Sequence, residues 1–169
     1  DRVHGLPIPD WMGQATRNLA TIANGLPTFF RPRPFAFLTP FLGLGSENAA
    51  YYSVDPLRDM LGELIDFDRI NAGPMRLCVG AAKVQSAEMV YFDSAKQPLG
   101  VDHVLASGAL PPAFPAVRID GELYWDGGIL SNTPVEVVFD DEPRRSGTVF
   151  AVHLWNPAGP EPETIWQVL

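Results

Sequence analysis

The 169-residue sequence has one cysteine, three histidines, fewer basic than acidic groups and no long uninterrupted apolar run. Each scarcity excludes a class of protein. Cys78 alone can form neither an internal disulfide nor a cysteine cluster, and its setting in Leu77-Cys78-Val79 reads as a small core hydrophobe. His4, His103 and His153 stand far apart, without the paired spacing of a locally assembled zinc site, so no metal or other cofactor is expected. Twelve Lys+Arg face twenty Asp+Glu for a net charge of −8, with residues 1–50 contributing +1 and residues 51–169 contributing −9. A surface of that sign repels phosphate backbones, so nucleic acid is not an expected partner, and any membrane contact should be peripheral and apolar rather than polybasic. The most apolar stretches are cut by Pro40, Pro111 and Pro112, well short of the length that spans a bilayer. The opening Asp1-Arg2-Val3-His4 does not read as a charged-then-apolar leader and, without a methionine, suggests a processed chain or a piece of a larger one. A cytoplasmic or membrane-peripheral location is compatible with these features.

What is present fits one globular domain. The chain is 46% hydrophobic and 19% charged with a mean hydropathy of +0.02, too balanced for a disordered chain or a membrane bundle. Met12, Ala15, Leu19 and Ile22 recur at helical spacing and predict an amphipathic helix over 11–24, ended by Gly25. Pro27, Pro32, Pro34 and Pro40 then interrupt a run containing Phe29, Phe30, Phe35, Phe37 and Phe41. That spacing predicts an irregular apolar flap without regular helix or central strand, whether packed over the core or exposed as a lipid-contacting lid. Asp55 and Pro56 begin a second helix, with Leu57, Met60, Leu61 and Leu64 along one stripe. Residues 75–84 and 88–93 read as a hairpin, 101–109 as a short helix stopped by Pro111-Pro112, and 117–119 with 122–125 as a second hairpin turning at Asp120-Gly121. Thr133, Pro134 and Glu136 have the spacing of a capping box, which predicts a helix from residue 134. The apolar run 148–155 reads as a strand covered on both faces, as in a parallel sheet, and places the chain in the α/β class.

Trp125-Asp126-Gly127-Gly128 is the sharpest local feature. A carboxylate at the end of a strand, followed by two residues without Cβ, sits where a substrate or another backbone can approach closely. The expected helix at residue 134 would add N–H groups near the same turn. Spacing alone is equally consistent with a plain Asp-Gly turn. Ser107, among apolar neighbours, reads as a packed serine bonded to backbone. Asn132 reads as a residue that fixes its turn, His153 as a core histidine, and Tyr124 and Trp125 as core aromatics.

The wider string extends the reading. Ala106-Ser107-Gly108-Ala109-Leu110-Pro111-Pro112-Ala113-Phe114-Pro115, then Ile119 to Gly128, then Ser131-Asn132-Thr133-Pro134, strongly resembles the distal half of the patatin-like phospholipase domain. The resemblance is dense from Tyr51 to about Asn156, includes Phe67-Asp68-Arg69-Ile70-Asn71, and is loose before residue 50. It implies a partial three-layer α/β/α domain with a mostly parallel sheet plus a hairpin. Residues 1–50 would form a loosely matched segment, 51–157 the distal half-domain and 158–169 an exit linker. It implies hydrolysis of lipid acyl esters by a Ser-Asp dyad, with Asp126 matching the aspartate. The family's serine lies in Gly-x-Ser-x-Gly, where flanking glycines relieve crowding at the nucleophile. None of the serines at 46, 53, 86, 94, 107, 131 and 146 has that glycine pair, and no glycine-rich oxyanion loop precedes the matched blocks. The expectation is therefore a C-terminal portion of a serine hydrolase that supplies Asp126 but lacks the nucleophile, and is inactive alone. Its partners would be a lipid or acyl ester and the missing N-terminal half of the domain. The alternative is a non-catalytic module that kept the scaffold to bind lipid or protein.

Overall fold

A computed structural model of the chain describes residues 20–38, 41–144 and 146–152. Residues 20–24 are helical and Gly25 ends the turn at φ +69°, its N–H bonded to the Thr21 carbonyl at 2.8 Å. The part of the predicted helix before residue 20 lies outside the described residues. The proline-rich stretch is more regular than its prolines predict. It holds a two-residue strand β1 (Arg31–Pro32), paired antiparallel with β2 (Tyr52–Ser53), and a short helix α1 (Pro34–Leu38). Pro34 opens that helix, a position where the missing N–H would be unbonded in any residue.

Helix α2 (Asp55–Leu64) has Pro56 in its first turn as expected, but Asp55 is itself helical and Val54 holds the cap position without a side-chain cap. The Ser53 hydroxyl accepts from the Asp55 N–H instead, at 3.2 Å. Leu57 and Leu61 of the apolar stripe pack on the core, whereas Leu64 projects into solvent. Helix α3 (Phe67–Ala72) is capped by the Asp66 carboxylate, which accepts from the Arg69 N–H at 2.9 Å. Asn71 exchanges two hydrogen bonds of 2.8 Å with the backbone of Leu99, fastening α3 to the loop that leads into α4 (Val101–Ser107).

Four strands form the main sheet, β3 (Cys78–Lys83), β4 (Met89–Asp93), β5 (Val117–Ile119) and β6 (Glu122–Asp126), in the spatial order β4-β3-β6-β5. Both predicted hairpins form. At the second, Asp120 and Gly121 take φ of 49° and 86°, the left-handed pair that lets a two-residue turn follow the twist of its strands. Mixed helix and strand are as expected for the α/β class, but the mostly parallel sheet is not. Every strand pair among the described residues is antiparallel. The β3–β4 and β5–β6 connections are too short for the crossover that parallel neighbours need.

Strand alternation in β5 turns Val117 and Ile119 inward and leaves Arg118 exposed. The inward residues join Ala81, Phe92, Tyr124 and the α4 residues Leu105 and Ala106 in the core. Phe92 meets Tyr124 and His103 edge-on, at centroid distances of 5.1 and 4.8 Å. Tyr124 is thus a core aromatic, as its strand position predicts, and Trp125 is half-buried.

Two expectations fail near the C-terminal side. The helix predicted from residue 134 is a single turn, α5 (Glu136–Phe139), preceded by Val135 with no side-chain cap. The Thr133 carbonyl is taken by the Val135 N–H at 2.8 Å, a tight turn that displaces the capping box. Residues 148–152 form no strand, and Val149, Phe150 and Val152 are exposed. An apolar run has strand length whether or not a neighbour exists to pair with it, and here this segment joins neither β4 nor β5. Residues 153–155, His153 included, and the proline-rich tail lie outside the described residues.

Candidate active site

Asp126 ends β6, an inner strand flanked by β3 and β5. Its backbone pairs with Ala81 of β3, and its N–H donates to the Ala109 carbonyl at 3.0 Å, so sheet and post-helix loop both fix the residue. A 3₁₀ turn, Gly127–Ile129, follows immediately. Gly127 is buried against β3, where a Cβ would stand 2.6 Å from the Gly80 carbonyl oxygen, closer than real Cβ atoms come. This close packing of backbone on backbone explains the first glycine after the aspartate.

The second glycine holds the carboxylate. The Gly128 N–H donates to Asp126 Oδ1 at 2.7 Å, and a Cβ at Gly128 would meet that oxygen at 3.1 Å and Asn132 Oδ1 at 3.3 Å. Asp126 and Asn132 therefore flank one Cα, which fits the expectation that Asn132 belongs to the turn. No hydrogen bond engages Asp126 Oδ2 among the described residues. A half-buried carboxylate with one oxygen fixed by backbone and the other open can accept a proton or hydrogen bond from an approaching hydroxyl.

No serine of this chain makes that approach. All seven lie within the described residues, and none hydrogen-bonds to Asp126. Ser107 donates to the Val104 carbonyl at 2.8 Å, as its helical setting predicts. Ser86 donates to Glu88, and Ser94 accepts from the Leu77 N–H. The helix N-terminus expected beside Asp126 is displaced to residue 136. Among the described residues no His, Cys, Asp and Glu group has the arrangement of a metal site.

An apolar cavity of about 140 Å³ lies between α2, α4 and the aromatic loop, lined by Phe29, Phe30, Leu57, Leu61, Leu105 and Phe114 among others. Ala109, whose carbonyl takes the Asp126 N–H, is part of its wall. Asp126 and the cavity thus share one loop.

Two polar clusters near the sheet are not evident from sequence patterns. Asp93, only 2% exposed, receives Nε and an Nη of Arg76 at 2.8 and 2.6 Å and the Ala95 N–H at 3.0 Å. Arg76 also reaches Asp141 at 2.7 Å. The Arg76 guanidinium holds the Asp93 carboxyl below its usual range against the opposing effect of burial. Tyr91 of β4 donates to Glu136 at 2.9 Å, linking α5 to the sheet. Burial first, then that hydrogen bond, pushes the phenol up to about 12. The one available signal was Asp93 closing an apolar strand, and nothing in its sequence neighbourhood names a partner across the sheet. Cys78 is half-buried with its thiol pushed up mainly by burial, consistent with an inert position.

The family model for patatin-like phospholipases matches residues 14–139, more than half of the chain. The protein belongs to the patatin-like phospholipase family, whose members act on lipid substrates. Searches of curated proteins and of solved structures gave no significant match.

Proposed function

We propose that this chain supplies the dyad aspartate, Asp126, of a lipid acyl ester hydrolase whose serine nucleophile and oxyanion loop stand outside these 169 residues. The observation that carries the reading is the Asp126 carboxylate itself, held at Oδ1 by the Gly128 N–H and open at Oδ2. A serine hydroxyl is a poor nucleophile at its ordinary pKa and needs a hydrogen-bonded base. Asp126 would take that role directly, without an imidazole between. It would accept the serine proton as the hydroxyl oxygen attacks the acyl carbon, and backbone N–H groups elsewhere would stabilise the resulting oxyanion. The adjoining apolar cavity supports an acyl-chain substrate, because its wall and the aspartate share the Ala109 loop.

A second reading is a binding module without catalysis, favoured by the fact that none of the seven serines reaches Asp126. Turnover by the complete polypeptide separates the two. Asp126→Asn is expected to lower ester hydrolysis roughly 10²- to 10⁴-fold with the fold intact. A fluorophosphonate probe should label a serine outside this chain. Unchanged turnover would overturn the assignment of Asp126, and absence of both turnover and labelling in the complete polypeptide would leave the binding module.

A further inference from the structure

The chain leaves the Asp126 turn as a segment that touches the rest of the protein at few points. The Leu130 and Ser131 N–H groups both donate to the Gly127 carbonyl at 3.0 Å and close the turn that contains Gly128. From Thr133 to Asp141, no backbone hydrogen bond reaches another element among the described residues. The N–H groups of Val135, Val138 and Asp140 donate to the carbonyls of Thr133, Val135 and Glu136, all inside the segment. Helix α5 has no buried residue, and Val138 and Phe139 are 53% and 60% exposed. No side chain of the segment joins the hydrophobic core or the residues packed against it.

Two polar clips hold the segment down, one at each end of α5. The Tyr91 hydroxyl of β4 donates to Glu136 at 2.9 Å, and an Nη of Arg76 reaches Asp141 at 2.7 Å. Both clips stand on fixed supports, since Tyr91 lies within the sheet and Arg76 is anchored by the buried Asp93. The segment itself has no such support. Residues 136–142 include Glu136, Asp140, Asp141 and Glu142 and no basic residue, so in a chain of net charge −8 only the clips draw it back. Polar contacts that water reaches are weak and, where charged, are screened by salt. A single helical turn does not persist once detached.

From this arrangement we infer that residues 133–141 form a strap that detaches from Tyr91 and Arg76 as a unit while the sheet stays folded, and that its attachment sets how firmly the Gly128 N–H holds Asp126 Oδ1. With both clips closed, the chain beyond Gly128 is fixed by its turn at one end and by β4 and Arg76 at the other. With the clips open, the turn keeps only its own two bonds to Gly127, and Oδ1 loses its fixed donor for part of the time. The inference deepens the proposed function and rests on that reading for its purpose, whereas detachment itself requires no catalysis. Tyr91 and Asp141 are thus positioning residues, acting on the carboxylate through the strap.

Amide exchange followed residue by residue by NMR, on the chain without substrate, tests detachment and its effect on Asp126 together. The Val138 and Asp140 amides should exchange faster at about 0.5 M salt than at low salt. Tyr91→Phe, which keeps the ring, and Asp141→Asn, which leaves the Arg76–Asp93 pair, should each speed those two amides roughly threefold or more. Asp141→Asn should also remove most of the salt dependence. The Gly128 amide should quicken with them, while amides of β3 and β6 and the melting temperature stay unchanged. Equal exchange at Val138 and Asp140 in the parent and both variants would overturn the inference. A rise of the same factor in β3 and β6 would also overturn it and make the segment part of the global folding unit. Faster exchange at Val138 and Asp140 with Gly128 unchanged would overturn the control of Asp126. Failure of the complete polypeptide to hydrolyse esters would count against the catalytic role of Asp126 alone, because exchange is read without turnover.

Discussion

At the scale of single residues, the turn after Asp126 divides its work between two glycines. Gly127 lets backbone pack on backbone at Gly80, while Gly128 offers an N–H to Oδ1 and leaves room for the carboxylate. Adding one methyl at Gly128 should therefore displace the carboxylate rather than the fold, because the contacts are to Asp126 and Asn132 side chains on the exposed side. Gly128→Ala is expected to lower ester hydrolysis in the complete polypeptide by roughly tenfold or more while shifting the melting temperature little. A drop in melting temperature equal to that of Gly127→Ala would contradict this division of roles. The Asp126-Gly127-Gly128 turn was legible in the sequence as a candidate site, since a carboxylate before two glycines is a local pattern. The separate role of each glycine was not, because each depends on an atom distant in sequence or on the other side of the turn.

At the scale of elements, the hairpins were legible because register and turn chemistry agree locally: alternation in β5 and the left-handed pair Asp120-Gly121 specify the same turn. The helix from residue 134 was not, since Thr133 to Glu136 carries the capping pattern but the Thr133 carbonyl closes a turn on Val135 first. Arg76 binds Asp93 at the end of β4 and Asp141 beyond α5, a cross-link invisible to any periodicity. Its contribution has a defined acid limit. The folded Asp93 carboxyl lies below its unfolded value of about 3.9, so the stabilisation is complete above that value and is lost as pH falls through the lower folded one. Asp93→Asn should cost about 2 kcal/mol at pH 7 and flatten the acid limb of stability below about pH 4. Urea midpoints measured across that range for both proteins check the sign. A variant with the parent's slope would place the acid sensitivity elsewhere.

At the scale of the whole molecule, the mixed helix-and-strand class read from the segment patterns is borne out by the sheet with α2 and α4 on it. The direction of the strands was not legible. An apolar run such as 148–152 records that a segment could be covered, whereas coverage depends on a partner strand, and none of the four strands pairs with it. The charge asymmetry between the two parts of the chain was visible from counting alone.

The spatial order β4-β3-β6-β5 also ranks the molecule's parts by persistence. Amides of β3 and β6 are hydrogen-bonded from both sides, while β4 and β5 each face one neighbour, so transient opening should begin at the outer strands and reach the inner pair last. Hydrogen exchange followed by mass spectrometry should find the slowest amides in Ala81–Lys83 and Tyr124–Asp126, with 148–152 exchanging fastest. Equal protection across the four strands would refute the ranking. Asp126 belongs to that last-opening pair, so an encounter with a second polypeptide segment would meet the aspartate still in register even when the rim of the sheet has frayed.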